Sequence, residues 1–134
     1  MECIFCKIIN KEIPSDIIYE DDSVVAFMDV RPVSRGHALV VPKKHSADFF
    51  DADEATLERL MPSVQKIAKA LSTAVNAAGI NITTNNGAAA GQVIFHLHFH
   101  LIPRFSNDGL KPWPHHEAEP KTRAEVAEAV KKLL

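Results

Sequence analysis

His96-Leu97-His98-Phe99-His100 places three histidines at alternate positions, with a large apolar residue in each gap. This alternation is typical of a half-buried β-strand, because side chains at i, i+2 and i+4 project from one face. The three rings would then stand about 6 to 7 Å apart while Leu97 and Phe99 enter the core. The flanking residues are β-formers, and Pro103 is expected to end the strand. We therefore predict a strand over residues 93–102.

Three aligned imidazoles call for a chemical explanation, because they would repel one another when charged and are costly to bury without partners. An uncharged imidazole can attack phosphorus and then act as a leaving group. The preceding loop, residues 85–92, is composed of small and polar residues that let an anion approach the backbone. The pattern therefore predicts a phosphate cradle beside a histidine nucleophile, with a phospho- or nucleotidyl-histidine intermediate.

Length and composition set the broad class of the protein. A chain of 134 residues is long enough to bury one core without a disulfide scaffold. The formal net charge is −2 and charges are interspersed, which argues against nucleic-acid binding. The first residues lack a secretory signal, and no apolar stretch approaches the length of a membrane span. We expect a cytoplasmic protein that binds neither nucleic acid nor membrane.

Periodicity and turn signals predict an α+β arrangement. Besides the histidine strand, the predicted strands are residues 17–19 and 24–27, which form a hairpin, residues 38–41, which are closed by Pro42, and residues 80–83.

The predicted helices differ in length. A short amphipathic helix follows the Cys-x-x-Cys turn, and a long helix covers residues 53–78 with a kink at Pro62 and Gly79 as its C-terminal glycine. Thr122 and Glu125 form a capping box for a terminal helix. Residues 107–120 are predicted to be an irregular arm.

The pattern His96–Ile102, preceded by Gly91-Gln92, resembles the histidine triad (HIT) hydrolases. The resemblance covers roughly residues 1–105 and is strongest for the Hint branch in its bacterial and archaeal, zinc-binding form, because the Fhit branch typically lacks the Cys-x-x-Cys start. The segments that carry it are residues 3–9, 26–30, 36–45 and 81–82.

This resemblance implies a single HIT domain over residues 1–134, with a core in 1–105 and an arm and helix in 106–134. The expected fold is HIT-like α+β, with an antiparallel sheet of about five strands, one long helix and a C-terminal helix. Members of the Hint branch are homodimeric purine nucleoside phosphoramidases and nucleotide-binding proteins. The chain is thus expected to dimerise across its long helix and sheet edge.

The resemblance also implies roles for the histidines. His98 would attack the α-phosphorus of a purine nucleotide, release an amine and hold AMP until water frees it. His37 would accept a hydrogen bond from His98 and fix its tautomer, and His100 would contact phosphate oxygens. His96 completes the catalytic triad.

Matching positions imply the nucleotide contacts. Asp29 would bind the ribose hydroxyls, although an aspartate before a proline loop is equally typical of a capped turn. Asn85, Gly91 and Gln92 match the phosphate loop, and Ile18 and Phe27 would flank the base. One departure is Val93, where many Hint proteins carry serine, so a hydroxyl near the leaving group is missing.

The proline-rich arm to Pro120 is less informative. Trp113 is placed to reach the partner subunit's site, as an aromatic residue does in related dimers. His115 and His116 are expected to be solvated.

A zinc site is predicted from Cys3, Cys6, His45 and His96, because two thiolates and two imidazoles form a tetrahedral set. His100 would lie about 13 Å from His96 along the strand, so one metal cannot hold all three rings. Zinc-binding members of the branch use this quartet. Its closed coordination implies a structural ion and no catalytic metal. The alternative is a pair of reduced cysteines without metal.

Three other functions fit the same residues. His96 and His98 could hold a catalytic zinc in a metal-dependent hydrolase. The substrates could instead be dinucleoside polyphosphates. The chain could also be a nucleotide-binding regulatory protein without turnover.

Overall fold

A computed structural model describes residues 2–134, and Met1 of the predicted domain lies outside the described residues. The helices are α1 (Ile4–Ile9), α2 (Glu54–Val75) and α3 (Pro120–Leu133). The strands are β1 (Ile17–Glu20), β2 (Val24–Met28), β3 (Ala38–Pro42), β4 (Gly79–Thr83) and β5 (Phe99–Arg104).

The strands form one sheet in the order β1-β2-β3-β5-β4, and every neighbouring pair is antiparallel. This five-stranded sheet with a long helix and a C-terminal helix confirms the predicted α+β fold. The division into a core and a C-terminal arm stays a prediction. No helix within residues 2–134 is long and apolar enough to cross a membrane.

The sheet has two differently covered faces. Helix α2 packs on one face, and Leu97 and Phe99 join this core as predicted. Helix α1 packs on the opposite face, where Phe5 and Ile8 contact side chains of β2 and β3. Consecutive side chains of a strand point to opposite faces. His98 and His100 therefore lie on the α1 side.

Leu60 is fully buried where α2 meets the sheet. Leu60→Ala is expected to lower the free energy of unfolding by about 2–5 kcal/mol, because it removes buried methyl groups and leaves a cavity. Leu133→Ala, the same substitution at an exposed position near the end of α3, should cost less than about 1 kcal/mol. Urea unfolding of both variants measures the difference, and equal losses would contradict this packing.

The histidine strand is shorter than predicted. Strand β5 begins at Phe99, so His96 and His98 precede the regular strand. The rings of His96 and His98 nevertheless both pack against Phe5 of α1, on the same side of the sheet as His100. The register of β3 with β5 would bring Pro42 opposite Leu97, and proline offers no amide to the ladder. Leu97 donates its amide instead to the Ser46 carbonyl at 2.8 Å.

Pro103 does not end the strand, contrary to prediction. It lies inside β5, where it pairs with Ile80 of β4. On the side of β5 that faces β3, the last paired residues are Ala38 and Leu101, so Pro103 lies beyond the end of β3. The carbonyl of Pro103 accepts from the Ser34 hydroxyl at 2.6 Å. The missing amide therefore costs no ladder hydrogen bond.

Two helix ends also differ from prediction. Helix α2 is one continuous helix that includes Pro62, but it ends at Val75 and Asn76 adopts the left-handed conformation (φ 54°) expected of Gly79. Asparagine tolerates this conformation better than most residues. Gly79 begins β4 instead. Helix α3 begins at Pro120, ahead of the predicted capping box, because proline suits the first helical position.

Asp21 closes the β1–β2 hairpin. Its carboxylate accepts from the Tyr19 hydroxyl at 2.7 Å and from the Ser23 and Val24 amides at 2.8 Å. The Tyr19 hydroxyl is the largest cause that lowers the pKa of Asp21 below its usual value. A lowered folded-state pKa stabilises the fold above the unfolded value of about 3.9, and this stabilisation is lost as the pH falls through the folded value.

Asp21→Asn should therefore reduce the loss of stability on acidification. The measurement is urea unfolding of both proteins at several pH values between about 2 and 7. Asp22→Asn, at the exposed neighbouring position, is the control and should follow the parent protein. Parallel pH curves for Asp21→Asn and the parent would contradict the prediction.

Candidate functional site

His98 is buried on the α1 side of the sheet, at the point where the chain enters β5. Its ring contacts Phe5 edge-on, with centroids 5.0 Å apart, and lies 4.9 Å from the ring of His100. The Thr84 hydroxyl donates to the His98 carbonyl at 2.8 Å. Apolar and backbone contacts thus hold the ring in a fixed position.

The tautomer of His98 follows from one hydrogen bond. Its Nδ1 lies 2.7 Å from the carbonyl oxygen of His96, which can only accept. Nδ1 therefore carries the proton, and Nε2 of the neutral ring has a free lone pair. Burial lowers the pKa of His98, against the opposing effects of the His96 carbonyl and the Asp29 charge. The ring is thus neutral at pH 7 and suited to nucleophilic attack.

The predicted bond between His37 and His98 is wrong. The Nε2 atom of His37 lies 2.9 Å from Nδ1 of His100, and the backbone of His96 takes the role assigned to His37. Both rings are largely desolvated. Burial lowers the pKa of His37 below its usual value and that of His100 to about 4.

Asp29 lies beside this pair. One carboxylate oxygen is 3.5 Å from Nε2 of His37, and the other accepts from the Arg31 amide at 2.8 Å. The second contact is the capped turn considered for this residue. Asp29 therefore caps a turn and also supplies negative charge to the histidines.

The loop before the histidines is held together by Gln92. Its buried side chain accepts from the Gly87 amide at 2.8 Å and donates to the carbonyls of Ala47 and Ile94 at 2.7 and 3.1 Å. The amides of Gly91 and Gln92 bond within the loop as well. In this structure Gln92 therefore shapes the loop and has no free polar side-chain atom for phosphate.

The other predicted site residues lie at different depths. Phe27 is buried and packs edge-on against Phe5 at 5.4 Å, whereas Ile18 is half exposed on the outer strand β1. Gly91 adopts a φ of 94°, a conformation that favours glycine, beside the side chain of Asn85. Val93 is 84% exposed.

A cleft of about 560 Å³ opens beside His37 and His100. Asn85 lines it, while Lys111 and Trp113 of the C-terminal arm contribute to its wall within the same chain. Trp113 is 85% exposed, and the predicted contact with a partner subunit stays a prediction. His115 and His116 are exposed, as predicted.

Sequence reasoning missed the residues that position this arm. Arg104 donates to both carboxylate oxygens of Asp108, at 2.8 and 3.0 Å, and to the Leu110 carbonyl at 3.0 Å. The arm is thereby tied to the end of β5 before it reaches the cleft. An arginine and an aspartate four residues apart, around the turn after a strand, were the available signal.

A second cluster brings Cys3, Cys6, His45 and His96 together. The Nδ1 atom of His96 lies 3.4 Å from the Cys3 sulfur and 3.0 Å from Nδ1 of His45. Zinc bonds of about 2.3 Å to sulfur and about 2.0 Å to nitrogen place tetrahedral ligand atoms about 3.3 to 3.8 Å apart. The separations of Cys3 and Cys6 from His96, 3.4 and 3.6 Å, and of Cys6 from His45, 3.5 Å, fall in this range. The two histidine nitrogens are slightly closer than a tetrahedral ion would hold them.

The ring of His96 has the tautomer that a metal ion at this cluster would need. Its Nε2 lies 2.8 Å from the Pro42 carbonyl, so Nε2 carries the proton and Nδ1 offers a lone pair to the cysteines. Burial lowers the pKa of His96 to about 4, which keeps the ring neutral at pH 7. The side chain of His96 therefore contacts the cysteine cluster, whereas its main-chain carbonyl accepts the hydrogen bond from Nδ1 of His98.

Comparison with known proteins assigns the family. Residues 10–107 match the HIT domain, so the protein belongs to the HIT domain family. The crystal structure of a HIT family member from Bacillus subtilis superimposes with a TM-score of 0.92 at 38% identity, and the alignment covers 100% of this chain and 98% of that one.

Two further relatives bear on chemistry. A Zn-bound histidine triad family protein from Mycobacterium smegmatis has a TM-score of 0.78 at 36% identity, covering 96% of this chain and 98% of that one. Adenylylsulfatase HINT3 from Arabidopsis thaliana is 41% identical over 109 residues, which span 81% of this chain and 55% of that protein.

Proposed function

We propose that this protein is a nucleotide hydrolase of the Hint branch that cleaves purine nucleoside phosphoramidates. The observation that carries the proposal is the hydrogen bond from Nδ1 of His98 to the His96 carbonyl, which leaves Nε2 bare in a neutral ring. The name of the plant relative, an adenylylsulfatase, supports chemistry at the α-phosphate of an adenine nucleotide.

The reaction has two steps. Nε2 of His98 forms a bond to the α-phosphorus while the bond from phosphorus to the amine nitrogen breaks. Water then attacks the same phosphorus, breaks its bond to Nε2 and releases AMP. The amine nitrogen takes up a proton from solvent as it departs in the first step. In the second step the water returns a proton to solvent while its hydroxyl stays on phosphorus, and His98 returns to its neutral form.

The remaining site residues are proposed to bind the nucleotide. His100 contacts a phosphate oxygen at the cleft, and Asp29 binds the ribose through the carboxylate that faces His37. Asn85 and Gly91 present the loop to the phosphate. Ile18 and Phe27 flank the base.

The test compares substrates and looks for the intermediate. Adenosine 5′-phosphoramidate, adenylyl sulfate and diadenosine polyphosphates labelled at the α-phosphate are incubated with the protein, which is then quenched and analysed for an acid-labile AMP adduct. We expect fastest turnover of the phosphoramidate and an adduct at His98. Faster cleavage of diadenosine polyphosphates would favour the second substrate class. Nucleotide binding without adduct or turnover would identify a regulatory protein.

We also propose that Cys3, Cys6, His45 and His96 hold a structural zinc ion. Their spacing and the tautomer of His96 support this, as does the Zn-bound relative. Two thiolates and two imidazoles complete tetrahedral coordination, so the ion would crosslink α1 to the chain before β5 and leave no position for substrate.

The proposed assembly is a homodimer across α2 and the sheet edge. Strand β4 is an edge strand, and Ile82 of β4 and Met61 of α2 are exposed. Sedimentation at micromolar concentration tests this assembly, and a monomer there would contradict it. A cytoplasmic location stays a prediction.

A further inference from the structure

The proposed nucleophile, His98, lies just outside the regular pairing of the sheet. Strand β5 pairs with β3 as far as Phe99 and with β4 as far as His100, so His98 precedes both sets of paired residues. Repeated backbone hydrogen bonds between strands fix the main chain inside a sheet, and this restraint ends before His98. The main chain that carries the ring is therefore positioned by individual contacts.

One of these contacts comes from the side chain of Thr84. Its hydroxyl donates to the His98 carbonyl at 2.8 Å. If the pairing of β4 with β5 continued, Asn85 would lie opposite His98, but β4 ends at Thr83 and the chain enters the loop of residues 85–92. The Thr84 hydroxyl therefore holds the main chain of His98 at the point where strand pairing stops.

Thr84 is joined directly to the loop proposed to bind phosphate. Thr83 and Asn85, on either side of it, line the cleft beside His100, whereas Thr84 does not. A hydroxyl has one proton to donate, and Thr84 gives this proton to the His98 carbonyl. Thr84 therefore acts on the site through His98 and is not itself a contact for substrate.

The rest of the loop is attached to a different part of the chain. Asn86 and Gln92 hydrogen-bond to the segment of residues 47–49 at 2.8 and 2.7 Å. Among residues 84–92, all within the described part of the chain, only Thr84 makes a side-chain hydrogen bond to the histidine segment, residues 96–98. This hydrogen bond is thus the direct connection between the loop and the proposed nucleophile.

We propose that the Thr84 hydroxyl fixes the position of His98 relative to the phosphate loop, so that Nε2 meets the α-phosphorus at the distance that the attack requires. A misplacement of about 1 Å can cost about 10²-fold in rate. The inference rests on the proposed function for the identity of the reaction. Thr84 is a positioning residue, and loss of its hydroxyl should slow the chemical step more than it weakens nucleotide binding.

The first test isolates the hydroxyl during the reaction. Thr84→Val removes the hydroxyl and keeps the shape of the side chain, whereas Thr84→Ser keeps the hydroxyl and removes the methyl group. We expect Thr84→Val to form the labelled AMP adduct, and to turn over, about tenfold more slowly than Thr84→Ser, with KM within about threefold. Equal kcat in the two variants would overturn the inference, and so would a loss confined to KM.

Thr73→Val is the matched control for removal of a hydroxyl. The Thr73 hydroxyl also donates to a main-chain carbonyl, that of Lys69 at 3.1 Å, but Thr73 is exposed on α2 and does not line the cleft. This variant should keep the kcat of the parent protein. A tenfold loss in Thr73→Val would show that the effect is not specific to Thr84 and would overturn the assignment.

The second test needs no substrate. Exchange of the His98 Nδ1 proton with solvent, followed in 1H–15N spectra of 15N-histidine-labelled protein at pH 7, reports how firmly the histidine segment is held. We expect exchange about tenfold faster in Thr84→Val than in Thr84→Ser, because the segment opens more often. Equal exchange in the two variants would overturn the inference.

The parent protein provides a measurement that does not depend on whether Thr84→Val folds. The hydroxyl proton of Thr84 should be visible in proton spectra, because a hydrogen-bonded hydroxyl at a half-buried site exchanges slowly. A freely exchanging Thr84 hydroxyl would overturn the inference.

The positioning role and the proposed function fail in different ways. A protein that cleaves no AMP derivative but shows the expected difference in proton exchange would contradict only the proposed function. Conversely, phosphoramidase activity with equal kcat in Thr84→Val and Thr84→Ser would leave the function intact and overturn the role of Thr84.

Discussion

His98→Asn is expected to lower turnover of adenosine 5′-phosphoramidate by at least about 10³-fold, because the amide cannot form the covalent intermediate. Binding of AMP should change by less than about fivefold, since the proposed phosphate and ribose contacts come from other residues. Stopped assays of AMP release give the rate, and calorimetric titration with AMP gives the affinity. The labelled AMP adduct should disappear in the same variant.

His116→Ala is the control, since this histidine is exposed on the arm. It should keep the turnover and the adduct of the parent protein. Thermal unfolding must show that His98→Asn is folded, because the ring packs against Phe5. A folded variant that retains a tenth of the parent turnover would remove His98 from the role of nucleophile.

Loss of zinc from the cysteine cluster should have the second largest effect, and this effect is on stability. A ligand that binds only the folded state at 100 times its Kd stabilises by about 2.7 kcal/mol. Chelation, or Cys6→Ser, should therefore lower Tm by roughly 10 °C. Turnover per folded molecule should stay within about threefold, because the proposed zinc site is closed and would not touch substrate. Calorimetry with metal analysis measures the first effect, and active-site titration measures the second.

The catalytic-zinc hypothesis predicts the reverse result. If His96 and His98 shared a catalytic ion, chelation would abolish turnover while the fold persisted. His115→Ala controls for nonspecific binding of metal to exposed histidines and should not change Tm. An unchanged Tm after complete chelation would contradict the structural zinc site.

Local signals predicted most of the fold. The spacing of apolar residues predicted the long helix, and the acidic turn between two apolar segments predicted the β1–β2 hairpin. Leu97 and Phe99 are in the core, as their alternation with the histidines indicates. The errors occurred where tertiary contacts override local preference. Pro103 is tolerated in β5 because the neighbouring strand has already ended, and the sequence gives no register from which to infer this.

The sequence predicted which residues form the candidate site, but it did not predict how their side chains contact one another. Spacing and resemblance brought Cys3, Cys6, His45 and His96 together, and the structure places them at ligand distances. The hydrogen-bond partners of the rings could not be predicted. The partner of His98 is the His96 carbonyl and one partner of His37 is the Val33 amide. Every residue carries such a carbonyl, and every residue except proline carries such an amide N–H.

The carbonyl of His96 has a consequence for how this molecule is dissected by mutagenesis. Substitution at position 96 alters the ring that faces the cysteines but leaves the oxygen that holds the proton of His98. An alanine scan would therefore report on the proposed zinc ligand and miss the carbonyl that fixes the tautomer of the proposed nucleophile. Ester-for-amide replacement by chemical synthesis, which weakens a single backbone acceptor, would be needed to measure what that oxygen contributes.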